Sequence, residues 1–154
     1  MITFELDGQE RRIDCTAFTP FIYSEEFLTE DKNGRLRGED INAAIVRVFE
    51  DYDSPYYIPP ITDLQRLFWA FEKTANRALK SFPDWLDELP DTVISLEDMN
   101  DEGSWVHAVI KQIEYSFFPH ASKSNMATED GDENADVAPG TGEQARDTVG
   151  VSMQ

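Results

Sequence analysis

The sequence contains a single cysteine, Cys15, so the chain cannot form an internal disulfide. This excludes the small secreted domains that depend on a disulfide framework. The N-terminus carries acidic residues early and lacks the apolar stretch of a signal peptide. The longest uninterrupted apolar runs are only a few residues, far shorter than a membrane span. These absences favour a soluble intracellular protein without a membrane partner.

Residues that carry catalytic or metal chemistry are also scarce. The chain has two histidines, His107 and His120, and neither forms a zinc-ligand spacing with Cys15. No P-loop and no G-x-G-x-x-G motif occurs. Carboxylates are abundant, but acid–base catalysis needs a pair whose environments separate their pKa values, and no pair stands out. We therefore expect no enzyme activity, no metal and no cofactor.

One acidic stretch has the alternating pattern of a calcium-binding loop, at residues 130–136. Its sixth position, which requires glycine, is Ala135, and its twelfth, which requires a bidentate glutamate, is Thr141. No amphipathic helices flank it. The pattern is therefore better explained by a solvated acidic segment than by a metal site.

Basic residues are few, 13 against 31 acidic residues, and the formal net charge is −18. Residues 120–154 contain no Phe, Tyr, Trp, Leu or Ile, and they hold seven acids and two bases. They account for −5 of the net charge, so residues 1–119 carry −13. We predict one folded domain over 1–119 and a disordered acidic tail over 120–154. Nucleic acid is not expected as a partner, because a surface this negative repels phosphates.

The sequence begins with two short alternating runs on either side of Asp7-Gly8. This dipeptide favours a two-residue hairpin turn, because both central positions need a positive φ. In that register Leu6 faces Gln9, and the pairs continue outward along both strands. A lone hairpin is marginal in water, so it must pack on helices or on another chain, and its edges suggest possible self-association.

Three stretches repeat apolar residues at helical spacing and predict amphipathic helices. The first covers 41–52, the second follows Pro60 with a stripe that reaches Leu79, and the third covers 104–118. Thr62 and Gln65 have the spacing of a capping box in the second helix. Ser104 is a candidate cap for the third helix.

The remaining stretches give weaker patterns. The segment 81–91, "SFPDWLDELPD", predicts a short helix with Trp85, Leu86 and Leu89 on its apolar side and its carboxylates facing water. Residues 16–38 contain a possible helical turn at "SEEFL" and a predicted polar loop at "DKNGRLRG". Residues 92–101 predict a loop or a short strand. The whole indicates a mainly α domain with an N-terminal β-hairpin, an α+β fold.

Aromatic residues make up 12% of the chain, and most of them should form the core. Partial exposure is expected for Trp69, Trp85, Tyr56 and Tyr57. Exposed aromatic side chains in an acidic rim are typical of a protein-docking surface. For Trp85, packing in its own core is favoured over contact with a partner.

The order of these segments resembles the tail assembly chaperones of long-tailed bacteriophages that infect Gram-positive bacteria. The resemblance covers about residues 1–118. It rests on the hairpin "ITFELDGQERRI", on "TPFIYSEEF", "LQRLFWAFEKTA" and "SFPDWLDELPD", and on a last helix ending near "YSFFP" before an acidic, low-complexity end.

The resemblance implies a non-catalytic protein of the host cytoplasm that is absent from the finished virion. Its implied partners are the tape measure protein, which it keeps from aggregating, and the tail tube protein, which it helps to recruit. A longer product made by a translational frameshift is common in this family. Only Phe82, Trp85 and Leu86 carry over as candidate contact residues. The resemblance also implies that the tape measure protein is long, helical and apolar on one face. A small domain with apolar grooves and a negative rim could bind helices of this kind reversibly.

An alternative function is that of an acidic interaction protein such as a DNA mimic, which would inhibit a host DNA-binding protein. The charge of residues 1–119 is compatible with this function. Such mimics spread their acids along exposed faces, whereas Glu50, Asp51 and Asp53 cluster at one predicted helix end.

Overall fold

A computed structural model describes residues 1–94 and 101–119 of the chain. The predicted tail, 120–154, lies outside the described residues, as does the calcium-like stretch within it. Met1–Phe117 form one compact unit. Its described residues contain five α-helices and two antiparallel hairpins. The predicted fold, a small α+β domain with an N-terminal hairpin, is confirmed.

The elements follow one another closely along the chain. Two strands, one helix and two more strands come first: β1 (Ile2–Leu6), β2 (Gln9–Ile13), α1 (Thr19–Glu26), β3 (Leu28–Glu30) and β4 (Leu36–Gly38). Four more helices follow: α2 (Ile41–Phe49), α3 (Ile61–Ala75), α4 (Phe82–Asp87) and α5 (Trp105–Phe117). A 3-10 turn, Asp91–Ile94, lies between α4 and α5.

The first hairpin has the predicted register, with Leu6 opposite Gln9 and Ile2 opposite Ile13. The turn residues have positive φ angles, 51° for Asp7 and 78° for Gly8. As expected for a two-stranded sheet, the hairpin packs on helices, with β2 against α3 and β1 against α5. Its inward side chains are part of the domain core.

Helix α3 is the centre of the domain, because it contacts β2 and each of the other four helices. Eight of its 15 residues are buried, so more than its apolar stripe is covered by the rest of the domain. The Phe68 ring lies 5.6 Å from Phe4, 5.1 Å from Trp85 and 5.6 Å from Trp105, measured between ring centroids. One side chain therefore joins the hairpin, α4 and α5 in a single core.

The region 16–38 differs from the prediction. Helix α1 begins at Thr19 and ends at Glu26, before the last residues of "SEEFL". The stretch predicted as a polar loop, 31–38, is a turn at 31–35 followed by β4, and it forms a second hairpin with β3. The Asp31 carboxylate closes its turn by accepting hydrogen bonds from the backbone N–H groups of Asn33, at 2.8 Å, and Arg35, at 3.0 Å. Its strands are short and largely exposed, so they carry no apolar alternation that would reveal them.

Gly38 at the end of β4 lies against α1. A Cβ atom added there would come within 2.6 Å of the carbonyl oxygen of Ser24, so a larger residue would push the two elements apart. The Ser24 hydroxyl also donates to the carbonyl of Glu39, at 2.7 Å. The second hairpin is thus fixed on α1 by close backbone approach rather than by apolar packing.

Of the two side-chain caps predicted for α3 and α5, the one at α5 is present. Ser104 Oγ accepts a hydrogen bond from the His107 N–H at 3.1 Å, which confirms the predicted cap. The predicted capping box at α3 is wrong. The residue before α3 is Pro60, no side chain caps the helix, and the Gln65 amide donates instead to the carbonyl of Val93 at 3.3 Å.

Helix α3 is also shorter than its apolar stripe suggests. It ends at Ala75, and the Asn76 side chain accepts the Ala78 N–H at 3.1 Å in the turn that follows. Leu79 packs on the core from outside the helix. The stretch 92–101 begins in the 3-10 turn rather than in a strand, and its residues 95–100 lie outside the described residues.

Candidate protein-binding surface

Trp69 and Trp85 are buried, with exposed fractions of 2% and 3%. The Trp69 indole N–H donates to the carbonyl of Lys80 at 2.9 Å. Trp85 packs edge-on against Phe68. The expected partial exposure is wrong for both tryptophans, because each has ring neighbours and a hydrogen-bond acceptor inside the domain. The interpretation of Trp85 as a core residue is confirmed.

Trp85 is held by a buried carboxylate. Glu72 in α3 accepts the Trp85 indole N–H at 2.6 Å and pairs with the Arg11 guanidinium of β2 at 3.1 Å. These three residues tie together β2, α3 and α4. No local sequence pattern marks them, since Arg11 and Glu72 are 61 residues apart.

The segment 81–91 is fastened to the core at its first helical residue. Ser81 makes no side-chain cap, and the Glu26 carboxylate of α1 accepts the Phe82 N–H instead, at 3.0 Å. The Phe82 ring packs edge-on against Phe27 at 5.0 Å. Phe82 and Leu86 are both half-buried against the core. A contact role for this segment stays a prediction.

The carboxylates of the same segment lie at the surface, as expected for the wet side of a short helix. All four are exposed: Asp84, Asp87, Glu88 and Asp91. Glu88 forms an ion pair with Lys80, which raises the pKa of the Lys80 ammonium through a hydrogen bond and charge attraction.

The most exposed aromatic side chain in the described residues lies in the connection between α2 and α3. Tyr56 is 87% exposed and Ile58 is 77% exposed, and Tyr52 is also at the surface with 41% exposed. Tyr57, which lies between Tyr56 and Ile58 in the sequence, is half-buried. We call these four residues the tyrosine surface. The predicted exposure of Tyr56 and Tyr57 is confirmed, whereas Tyr52 and Ile58 were not expected to contribute.

Tyr57 anchors this connection to α2. Its hydroxyl donates a hydrogen bond to the carbonyl of Val48. Its ring meets Tyr52 edge-on at 5.2 Å, and Tyr52 lies 4.9 Å from Phe49. Burial, and then Tyr52, raises the pKa of Tyr57 to about 12. The anchored tyrosine leaves Tyr56 exposed on an ordered connection.

Carboxylates surround the tyrosine surface. Glu50, Asp51 and Asp53 are exposed, and within the described part of the chain their side chains form no hydrogen bond or ion pair. Burial raises the pKa of Tyr52, and the negative charges of Glu114 and Asp53 raise it further. Glu114 belongs to α5, so two parts of the fold supply the negative charge.

An open cleft of about 430 Å³ lies at the tyrosine surface. Its lining comprises eight residues: Arg47, Glu50, Asp51, Ser54, Tyr56, Tyr57, Ile58 and Pro60. The Arg47 guanidinium is already neutralised, because it pairs with Asp63 at 2.8 Å and with Glu39 at 3.1 Å. These bonds raise the pKa of Arg47, with the Asp63 hydrogen bond as the largest cause. The remaining charges of the lining are carboxylates, so the cleft favours cations.

A second open cleft, of about 630 Å³, lies between β2 and the end of α3. Arg11 and Arg12 line it together with Glu10 and Glu72. Because Arg11 is paired with Glu72 and the remaining two charges are opposite, this cleft has no excess charge of either sign. It has no exposed aromatic wall and is the weaker candidate.

The described residues contain no group of three or more His, Cys, Asp or Glu side chains placed to hold a metal ion. Within the same residues, no helix has the length and apolar character to cross a membrane. Cys15 is half-buried, and burial raises the pKa of its thiol.

Asp51 has a left-handed backbone conformation, with a φ of 60°. Aspartate and asparagine adopt this conformation at lower energetic cost than alanine does. We expect Asp51→Ala to lower the free energy of unfolding by about 1 kcal/mol, Asp51→Gly to raise it by about 0.5 kcal/mol, and Asp51→Asn to leave it nearly unchanged. Urea denaturation followed by circular dichroism would measure all three. A stability for Asp51→Ala equal to that of Asp51→Gly would contradict the assigned conformation.

The fold and the site define a small α+β domain with an exposed tyrosine surface in an acidic rim. The chain matches no known family model, no curated protein and no solved structure. The phage chaperone family therefore stays a prediction from the order and character of the sequence segments.

Proposed function

We propose that this protein is a non-catalytic tail assembly chaperone, which holds a phage tape measure protein in the host cytoplasm and helps to recruit tail tube subunits. The observation that carries the proposal is the tyrosine surface, where Tyr56 and Ile58 are almost fully exposed beside the exposed carboxylates of Glu50, Asp51 and Asp53. An exposed apolar patch in a polar rim is typical of a protein-binding site. The resemblance of the sequence supplies the identity of the client.

The charge of the domain fits reversible holding of an aggregation-prone client. Residues 1–119 carry −13, so two copies repel each other at long range. The apolar area of the surface is small, so each copy binds weakly. Several copies could bind side by side along one long client and together cover its apolar surface. The protein would then leave as the tail is completed.

Co-expression with the tape measure protein from the same genome tests the proposal. We expect the wild-type chain to keep the tape measure protein in the soluble fraction. The double variant Tyr56→Ala/Ile58→Ala should leave it in the pellet. The matched control is Leu28→Ala/Leu36→Ala, which removes two exposed apolar side chains from the β3–β4 hairpin. This control should behave as the wild type does.

The two possible failures have different meanings. A tape measure protein that stays insoluble with the wild-type chain would contradict the chaperone function. If the tape measure protein stays soluble with both double variants, the chaperone function stands and the tyrosine surface is excluded as its binding site.

The alternative, a DNA mimic that inhibits a host DNA-binding protein, draws on the α4 segment. Its four exposed carboxylates lie within eight residues of sequence, from Asp84 to Asp91, as in a short run of phosphates. Mimicry would be supported if this protein displaced DNA from a host DNA-binding protein and lost that ability when these four acids were replaced by neutral residues. The exposed tyrosine and isoleucine have no role in that function.

A further inference from the structure

The cleft at the tyrosine surface combines two features that together select a ligand group. Tyr56 and Tyr57 supply aromatic rings, and Glu50 and Asp51 supply carboxylates. A cation beside an aromatic face is attracted by the ring, and a carboxylate adds a charge-assisted hydrogen bond. We infer that this cleft takes a lysine or arginine side chain, and that the segment bound is a helix with an apolar stripe flanked by basic residues.

The negative charge of the cleft is available to a partner. Glu50 and Asp51 form no side-chain bond within the described residues. The one cation of the lining, Arg47, is engaged by both oxygens of Asp63, at 2.8 and 2.9 Å. A bidentate pair of this kind does not open readily to bind another carboxylate. An incoming cation therefore meets two carboxylates that have no partner in the described part of the chain.

The apolar part of the partner follows from Tyr56 and Ile58. These side chains would be covered by a helix whose apolar residues recur at positions three and four apart, as in other helix-binding grooves. Basic residues on either side of that stripe would face Asp53 and Glu114 as well as the cleft. Since the domain carries −13, long-range attraction also speeds the encounter with such a helix.

Charge also argues against the other possible occupants. A second copy of the chain would bring −13 to a negative surface, and a nucleic acid would bring phosphates. An acidic helix would meet the same repulsion. A basic helix is the occupant that both the apolar and the charged groups favour.

The inference rests on the proposed function for its biological partner, but it can be tested without that partner. The probes are two labelled synthetic helical peptides of about 18 residues, long enough for a stable amphipathic helix. Both carry the same leucine stripe, flanked by lysine in one peptide and by glutamate in the other. Fluorescence anisotropy with the full chain gives the dissociation constant of each, at low and at high salt.

We expect the lysine peptide to bind at least about tenfold more tightly than the glutamate peptide, and salt to weaken it. The triple variant Glu50→Gln/Asp51→Asn/Asp53→Asn should bind the lysine peptide about tenfold more weakly. Asparagine at position 51 keeps the left-handed backbone conformation. The matched control, Asp84→Asn/Asp87→Asn/Asp91→Asn, removes the same charge from the α4 segment. It should change the dissociation constant less than about threefold.

Several results would overturn the inference. Equal weakening by the two triple variants would mean that net charge, and not this cleft, attracts the peptide. Equal affinity for both peptides, or no binding of the lysine peptide, would exclude a cation site. Sedimentation that shows a dimer abolished by the triple variant at positions 50, 51 and 53 would assign the surface to a second copy.

The tests separate this inference from the proposed function. If the wild-type chain keeps the tape measure protein soluble but does not prefer the lysine peptide, the chaperone function stands and the basic-helix inference fails. If the lysine peptide binds as expected but the tape measure protein stays insoluble, the cation-binding surface stands and the chaperone function fails.

Discussion

Replacement of Trp85 by alanine is expected to lower the free energy of unfolding by about 4 kcal/mol, because it empties a fully buried aromatic site. The indole is 3% exposed, packs edge-on on Phe68 at 5.1 Å, and donates its N–H to Glu72. Removing the indole takes away the contact with Phe68 and one of the hydrogen bonds to the buried Glu72 carboxylate. Urea unfolding followed by far-ultraviolet circular dichroism, which does not depend on tryptophan emission, measures the change.

Two variants control this experiment. Trp85→Phe keeps a ring in the site but loses the N–H donor, and we expect it to lose about 2 kcal/mol. Tyr56→Ala makes a similar truncation at an exposed position, and we expect its stability to stay within about 0.5 kcal/mol of the wild type. A Trp85→Ala stability within that same range would mean that Trp85 does not belong to the core.

Replacement of Glu72 by alanine is expected to lower the free energy of unfolding by about 3 kcal/mol, because it leaves a partly buried cation unpaired and a buried indole N–H without its acceptor. Glu72 is buried and Arg11 has a side chain that is 17% exposed. The Arg11 Nε atom has no hydrogen-bond partner among the described residues, and Glu72 is the carboxylate that pairs with the guanidinium. The Trp85 N–H also loses its acceptor, at 2.6 Å in the native domain.

A double variant separates the charge from the packing. We expect Arg11→Met/Glu72→Met to be more stable than Glu72→Ala by about 2 kcal/mol, since apolar side chains of similar size replace a buried ion pair with little loss. Glu72→Gln should fall between them, because its amide oxygen can still accept the Trp85 N–H. Strictly additive effects of the two single methionine variants would show that Arg11 and Glu72 are not coupled.

The first hairpin and the three long helices could be predicted because their signals are local. Asp7-Gly8 needs only its own backbone preference, and the stripes at 41–52, 61–79 and 104–118 need only helical spacing. The second hairpin could not be predicted in this way. It depends on the Asp31 carboxylate closing a turn and on Gly38 fitting against α1, and neither contact leaves a period in the sequence.

The surface was predicted in part. Tyr56 and Tyr57 were expected at the surface, and they lie in a proline-bounded stretch that no helix can continue. Ile58 lies in the same stretch, and that position is the signal that could have identified it. Glu114 carried no such signal, since it reaches the tyrosine surface only through the packing of α5.

Composition and spacing alone determined that this chain has a small, acidic domain with an N-terminal hairpin and amphipathic helices. Only the tertiary structure decided which aromatic residues face water. Trp69 and Trp85 combine an aromatic ring with one polar group, as Tyr56 does, but Lys80 and Glu72 supply acceptors for their indole N–H groups within the core. A hydrogen-bond acceptor inside the core stabilises a buried polar aromatic side chain, and for these two tryptophans the acceptor comes from a distant turn or another helix. A local pattern therefore marks an aromatic residue as apolar, while the fold determines whether it packs inside or remains exposed.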